Sequence, residues 1–234
     1  MKLVILMDAK PGLVQIAYDR ILHDILTFQL KPGETVSDYQ ISKELGMSRT
    51  PVREAIRKLI YGSLVVQGNG KAVVADISAQ DIQEITELRS ALEKQAVEII
   101  LTRNPLPQDK IARMRELNAE LQNAVANRDY RHNFEIEDQF HMLIVEGSGN
   151  KRIIETYKQH HLLIERARWL SLFYPVYDPT IKEHEDIIDA LEQRDRDAAY
   201  RALGKHMESS YRHFSRVFTD PEIREAARFV ASLK

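Results

Sequence analysis

The chain has 234 residues, of which 44% are hydrophobic and 29% are charged, and its formal net charge is −2 at pH 7. This composition excludes a disordered, collagenous or polycationic protein, and the lack of cysteine excludes disulfide scaffolds, thiolate metal sites and cysteine nucleophiles. The length predicts one large domain or two small ones.

The first residues, Met1–Met7, are apolar except for Lys2, but this run is too short for a signal peptide. No stretch approaches the roughly 18 apolar residues that a membrane span needs. We therefore expect a cytoplasmic protein that does not enter the membrane.

Charge and histidine divide the chain near residue 76. Residues 1–76 hold ten basic and eight acidic residues, whereas the remainder holds 23 basic and 27 acidic ones. Of the eight histidines, only His23 precedes residue 77. We predict two domains, 1–76 and 77–234.

The first domain contains signals for three helices and a hairpin. Apolar residues at helical spacing run from Val14 to Phe28, and Ser37 is placed to cap a short second helix. Thr50 and the proline after it predict the start of a third helix that ends near Tyr61. Two β-branched runs flank Asn69-Gly70, a pair that favours a tight hairpin turn. This order predicts a winged helix-turn-helix domain.

The second domain contains only helical patterns, separated by Gly and Pro breaks. The fold class is therefore mainly α, with an all-α bundle of six or seven helices behind the winged helix. The predicted helices are Ile82–Ile99, Ile111–Val125, Tyr130–Val145, Lys151–Leu172, Thr180–Glu192, Arg194–Phe218 and Pro221–Leu233.

The third helix carries the strongest functional signal. Arg49, Arg53 and Arg57 are four residues apart and share one stripe, while the apolar residues of the same helix face a core. Arginine forks can bind guanine O6 and N7 in the major groove, and the hydroxyls of Ser48 and Thr50 can reach phosphates. The alternative is an exposed helix with solvated arginines. In a helix-turn-helix context, the stripe predicts contact with double-stranded DNA.

The segments Leu30–Glu34 and Ile41–Ala55 closely resemble the N-terminal domain of GntR-family bacterial transcription regulators. The resemblance implies that Arg49, Thr50 and Arg53 read bases or adjacent phosphates. It also implies that the hairpin tip enters the minor groove.

Two positions depart from the family pattern. Ser63 stands directly before the first wing strand, where the family usually has Gly. The wing tip, with Asn69 and Lys71 as its candidate DNA contacts, carries only one cation.

Three histidines of the second domain lie on inward faces of separate predicted helices. His141 lies four residues after Glu137, and His184 and His206 lie on apolar faces of two later helices. A single histidine on such a face is more often a hydrogen-bonded core residue. Three histidines with a carboxylate favour a shared divalent cation, because buried unpaired imidazoles are costly.

The segments 137–141, 147–150, 183–187 and 205–207 look like the helical effector domain, called FCD, of the FadR-like branch of GntR regulators. The resemblance spans about residues 78–218 and implies a divalent metal of the Zn, Ni or Mn class, held by one acidic residue and three histidines. The corresponding residues are Glu137, His141, His184 and His206.

Some assignments stay open at this point. The family's acidic ligand is usually Asp, so Asp138 is an alternative to Glu137 as the acidic metal ligand. His160, His161 and His213 have no family counterpart and are expected to be structural or rim residues.

Arg89 is the candidate effector-binding residue. An arginine near a metal in a bundle cavity can hold a ligand carboxylate with its fork. The alternative is a surface salt bridge to Glu93, one helical turn later.

Together, these patterns predict a homodimeric, ligand-responsive transcription regulator, a repressor, that binds operator DNA and a small organic acid. The competing hypotheses are a metal-dependent hydrolase and a regulator that senses the metal itself.

Overall fold

The structure is a computed structural model that describes residues 12–27, 29–68, 70–127, 129–171 and 179–220. The chain divides into two compact units between Asp76 and Ile77. The elements, in chain order, are α1 (Leu13–Leu26), α2 (Asp38–Glu44), α3 (Arg49–Tyr61), β1 (Val65–Gly68), β2 (Lys71–Val74), α4 (Ala79–Thr102), α5 (Gln108–Ala126), α6 (Tyr130–Gly147), α7 (Lys151–Ser171), α8 (Thr180–Gln193) and α9 (Arg196–Thr219).

The first unit is a winged helix-turn-helix, as predicted. Helix α3 packs against α1, α2 and β1, because its apolar face fills the core of the unit. Val52, Ala55 and Leu59 on that face are completely buried. The arginine stripe on the opposite face is exposed.

The start of α3 differs from the prediction. Ser48, not Thr50, is the N-cap, and the helix begins at Arg49. Pro51 therefore occupies the third helical position. This position suits proline because the first four N–H groups of a helix have no intrahelical acceptor.

The wing is an antiparallel hairpin in which Val65 pairs with Val74 and Gly68 pairs with Lys71. Gly70 has a φ of +77°, which a two-residue hairpin turn requires and glycine adopts easily. Asn69, the other turn residue, lies outside the described residues. Ser63 has a φ of +60°, so a serine adopts the left-handed conformation at the position where glycine is usual in the family.

The second unit is an all-helical bundle. Six helices, α4–α9, lie within its described residues, and the predicted helix Pro221–Leu233 lies outside them. Helix α4 packs against α6, α7 and α9, while α8 packs mainly against α9 and α5. This packing brings the inward faces of α4, α6, α8 and α9 together around a largely apolar core.

Candidate functional site

Four side chains from three helices meet inside the second unit. Glu137 and His141 come from α6, His184 from α8 and His206 from α9. One donor atom of each residue lies within 4.8 Å of the donor atoms of the other three. The histidines are at most 1% exposed. The structure therefore brings together the four residues that the sequence predicted as metal ligands.

Two buried carboxylates fix the orientation of two imidazoles. Nδ1 of His141 lies 2.8 Å from Glu93 Oε2, and Nδ1 of His206 lies 3.3 Å from Glu183 Oε2. An ionised carboxylate only accepts hydrogen bonds, so each Nδ1 must donate. Each Nε2 of a neutral ring is then left with a lone pair that faces the centre of the cluster.

These two Nε2 atoms lie 3.1 Å apart. Two lone pairs at this separation repel unless a proton or a cation lies between them. Ligands about 2.1 Å from one divalent ion, at angles of about 90° to 109°, are about 3.0 to 3.4 Å apart. The observed separation fits two ligands of one metal ion.

His184 supplies a second observation that fits a metal. Its ring stacks on Phe140 with the centroids 3.7 Å apart, and neither ring nitrogen has a hydrogen-bond partner among the described residues. A buried unpaired ring nitrogen is costly, and coordination would remove that cost. Nε2 of His184 already lies 3.6 Å from Glu137 Oε1.

Two of the three histidines are held in the neutral form that binds metal. Burial lowers the pKa of His184 well below its ordinary value. Burial also lowers the pKa of His206, although the hydrogen bond to Glu183 opposes this effect. Both rings are therefore neutral at pH 7, as a ligating imidazole must be.

The two candidate acidic residues lie in different surroundings. Glu137 belongs to the cluster, whereas Asp138 Oδ1 lies 3.0 Å from Nε2 of His161. His161 also stacks on Tyr157.

His213 lies two turns beyond His206 on α9. Burial is the largest cause that lowers its pKa, the nearby Arg216 lowers it further, and the result is about 4.

Arg89 is buried, so a surface salt bridge to Glu93 is the wrong description. Its Nε donates to Glu93 Oε1 at 2.8 Å, and the two side chains are 2% and 0% exposed. Burial alone would lower the pKa of Arg89, but the charge of Glu93 raises it, so the guanidinium is charged. Its Nη2 has no hydrogen-bond partner among the described residues. A buried cationic donor of this kind suits an anionic ligand.

Glu93 is the buried centre of this network. It accepts hydrogen bonds from Arg89, His141 and the hydroxyl of Tyr157, which lies 3.3 Å away. Burial would raise its pKa, but the charge of Arg89 and the hydrogen bonds from His141 and Arg89 lower it. From the sequence, Glu93 was expected only as a salt-bridge partner, and Glu183 was not predicted as part of the site. The one signal for Glu183 was its position directly before His184.

The predicted DNA contacts lie on the surface of the first unit. All of the candidates within the described residues are exposed, and Asn69 lies outside them. Those exposed candidates are Ser48, Arg49, Thr50, Arg53, Arg57 and Lys71. Asp38, the first residue of α2, pairs with both Arg49 and Arg53 and was not predicted from the sequence.

Two protein families match the chain. The FCD domain matches residues 84–209, more than half of the chain, and the family "Bacterial regulatory proteins, gntR family" matches residues 13–74. Both the fold and the matches define a DNA-binding regulator with a helical second domain. The chain belongs to the GntR family of bacterial regulatory proteins, in the group that carries an FCD domain.

Relatives along most of the chain are also regulators. The HTH-type transcriptional regulator YdhC of Bacillus subtilis is 25% identical over 87% of this chain and 91% of its own length. The HTH-type transcriptional repressor RspR of Escherichia coli is 27% identical over 82% of this chain and 84% of its own length. The structure of E. coli McbR/YncC, 23% identical, has the same fold, with a TM-score of 0.72 over 89% of this chain and 99% of that one.

These matches identify a DNA-binding transcription regulator and not an enzyme, so the hydrolase hypothesis is wrong. In the part of the chain that the structure describes, no helix has both the length and the apolar character needed to cross a membrane.

Proposed function

We propose that the protein is a metal-dependent transcriptional repressor that responds to a small organic acid. The observation that carries the proposal is the pair of Nε2 atoms on His141 and His206, which face each other at 3.1 Å while carboxylates occupy both Nδ1 atoms. A divalent cation of the Zn, Ni or Mn class, bound by Glu137 and the three histidines, satisfies this arrangement.

The ligand would be a small carboxylate. A divalent ion prefers oxygen ligands at positions that the protein leaves open, and the bound ion would polarise and hold a carboxylate oxygen. Arg89 would donate Nη2 to the same anion, because this buried donor has no other partner among the described residues. Because Arg89 offers a cationic donor to an anion, we propose that an organic acid, and not the metal itself, is the effector.

Helix α3 would make the main contacts with DNA. Arg49, Arg53 and Arg57 would enter the major groove, with Ser48 and Thr50 on phosphates and the wing residues Asn69 and Lys71 at the minor groove. Helix-turn-helix regulators read two half-sites as dimers, so we propose a homodimer on a two-fold operator. The relative RspR is a transcriptional repressor, and this similarity supports the same role here.

The experiment is a thermal-shift screen of small organic acids on the metal-loaded full chain. A ligand at 100 times its Kd should stabilise the protein by about 2.7 kcal/mol. The same acid should release the protein from its operator. The shift should vanish in His184→Ala and persist in the control His132→Ala, which removes an exposed histidine of α6.

Two outcomes would contradict parts of the proposal. If the acid raises the Tm of His184→Ala as much as that of the wild type, the acid does not bind at the metal cluster. If no acid acts but added metal alone changes operator affinity reversibly after mild chelation, the protein is a metal sensor.

A further inference from the structure

A single carboxylate on α2 binds two of the three arginines of the α3 stripe. Oδ1 of Asp38 accepts from Nη2 of Arg49 at 2.7 Å, and Oδ2 accepts from Nε of Arg53 at 2.5 Å. Arg57, one turn further along α3, is exposed and has no ion pair among the described residues. Both oxygens of Asp38 are therefore used to orient the first two arginines.

The pairing leaves the arginines accessible. The side chains of Arg49 and Arg53 are 50% and 57% exposed, whereas that of Asp38 is 19% exposed. Because Arg53 is bound through Nε, both of its terminal nitrogens stay available. Two parallel N–H donors from one guanidinium are what guanine O6 and N7 require.

A negative charge on a DNA-facing surface lowers affinity for every sequence, because it repels phosphates. Its presence between two arginines is explained if it restricts their rotamers before DNA arrives. Fewer rotamers then have to be given up on binding, and a fixed fork rejects bases whose edges lack two acceptors.

We propose that Asp38 is a positioning residue for base recognition, which fixes Arg53 as a two-donor reader of guanine and fixes Arg49 beside it. This inference rests on the proposed role of α3 in DNA binding. The two guanidinium groups lower the pKa of Asp38, with the hydrogen bond from Arg49 as the largest cause, so the carboxylate is ionised when DNA binds.

The test compares sequence preference, not only affinity. The preferred site of the metal-loaded 234-residue chain is first selected from a randomised duplex library. Affinities for that site, for each of its single base-pair variants and for a random duplex are then measured by fluorescence anisotropy at one salt concentration. The proteins compared are the wild type, Asp38→Asn, Arg53→Ala and Glu54→Gln.

Asp38→Asn should reduce discrimination at one G·C pair in each half-site by about tenfold, while binding of the random duplex stays equal or becomes tighter. Glu54→Gln is the charge-matched control, because it removes an exposed carboxylate of α3 that has no ion pair among the described residues. It should change specific and random binding by the same factor.

Unchanged base preference in Asp38→Asn would overturn the proposal, and a uniform gain in affinity would then make Asp38 a simple competitor of phosphate. The variants test the role of α3 and the role of Asp38 separately. If Arg53→Ala also keeps the full base preference, the docking of α3 is wrong. If Arg53→Ala loses the preference and Asp38→Asn keeps it, only the role of Asp38 is wrong.

Discussion

Replacing Glu93 with glutamine should strongly destabilise the metal-free protein at pH 7. Glu93 is fully buried and binds Arg89 and His141, so Glu93→Gln leaves a buried guanidinium without its counter-ion. Removing one partner of a buried ion pair typically costs about 3 to 5 kcal/mol. For a unit of this size, the lower end of that range, about 3 kcal/mol, lowers Tm by roughly 6 to 12 °C.

The assay is thermal unfolding followed by circular dichroism on the chelator-treated full chain. Glu98→Gln is the matched control, because Glu98 lies on the same helix and pairs with Arg196 and Tyr200 at the surface. A surface pair contributes about 0 to 1 kcal/mol, so this control should shift Tm by only a few degrees.

The pH dependence gives the same prediction a second check. The pKa of Glu93 is lower in the folded state, so its stabilising contribution is complete above about pH 4.5 and decreases as the pH falls toward 2. The difference between wild type and Glu93→Gln should therefore be constant near neutral pH and shrink in acid. Equal losses of Tm in Glu93→Gln and Glu98→Gln at pH 7 would refute the reasoning.

Three further predictions concern other parts of the molecule. Arg49→Ala and Arg53→Ala should each weaken operator binding by about 1 to 3 kcal/mol and leave the metal content unchanged. Lys71→Ala should weaken binding by less, and by the same amount for all DNA sequences. Unaltered operator affinity in both arginine variants, measured by anisotropy titration at fixed salt, would contradict this prediction. Ser63→Gly should raise the Tm of the first unit by about 2 to 4 °C. Glycine removes the strain of the left-handed conformation at φ +60°, and the entropy that it adds to the unfolded state offsets only part of this gain. A lower Tm in Ser63→Gly would contradict the prediction. Glu183→Gln should weaken metal binding by about 10- to 100-fold in a competition titration, since Glu183 orients His206; an unchanged metal Kd would contradict that role.

The winged helix and the bundle were predictable because helical spacing and cap residues are local signals. The α3 stripe and the pairing of Glu137 with His141 depend on the spacing of four residues within one helix, which the sequence displays directly. The start of α3 was misplaced by two residues, because Ser48 and Thr50 are both good N-caps and the proline is acceptable in either register.

The carboxylates around the site could not be predicted in the same way. Glu93 reaches His141 across 48 positions, and Asp38 reaches Arg53 across 15, so each contact depends on how two helices pack. Arg89 shows the same limitation. Its pairing with Glu93 follows from spacing, but its burial follows from the packing of α4 against its neighbours.

The most direct test of the metal-dependent account is elemental analysis of the purified 234-residue chain and four single variants. We expect one divalent ion per chain in the wild type and in the exposed-histidine control His132→Ala, and a small fraction of that in His141→Ala, His184→Ala and His206→Ala, because each removes one ligand from a shared site. Full metal occupancy in all three variants would make these histidines core residues and would contradict the account.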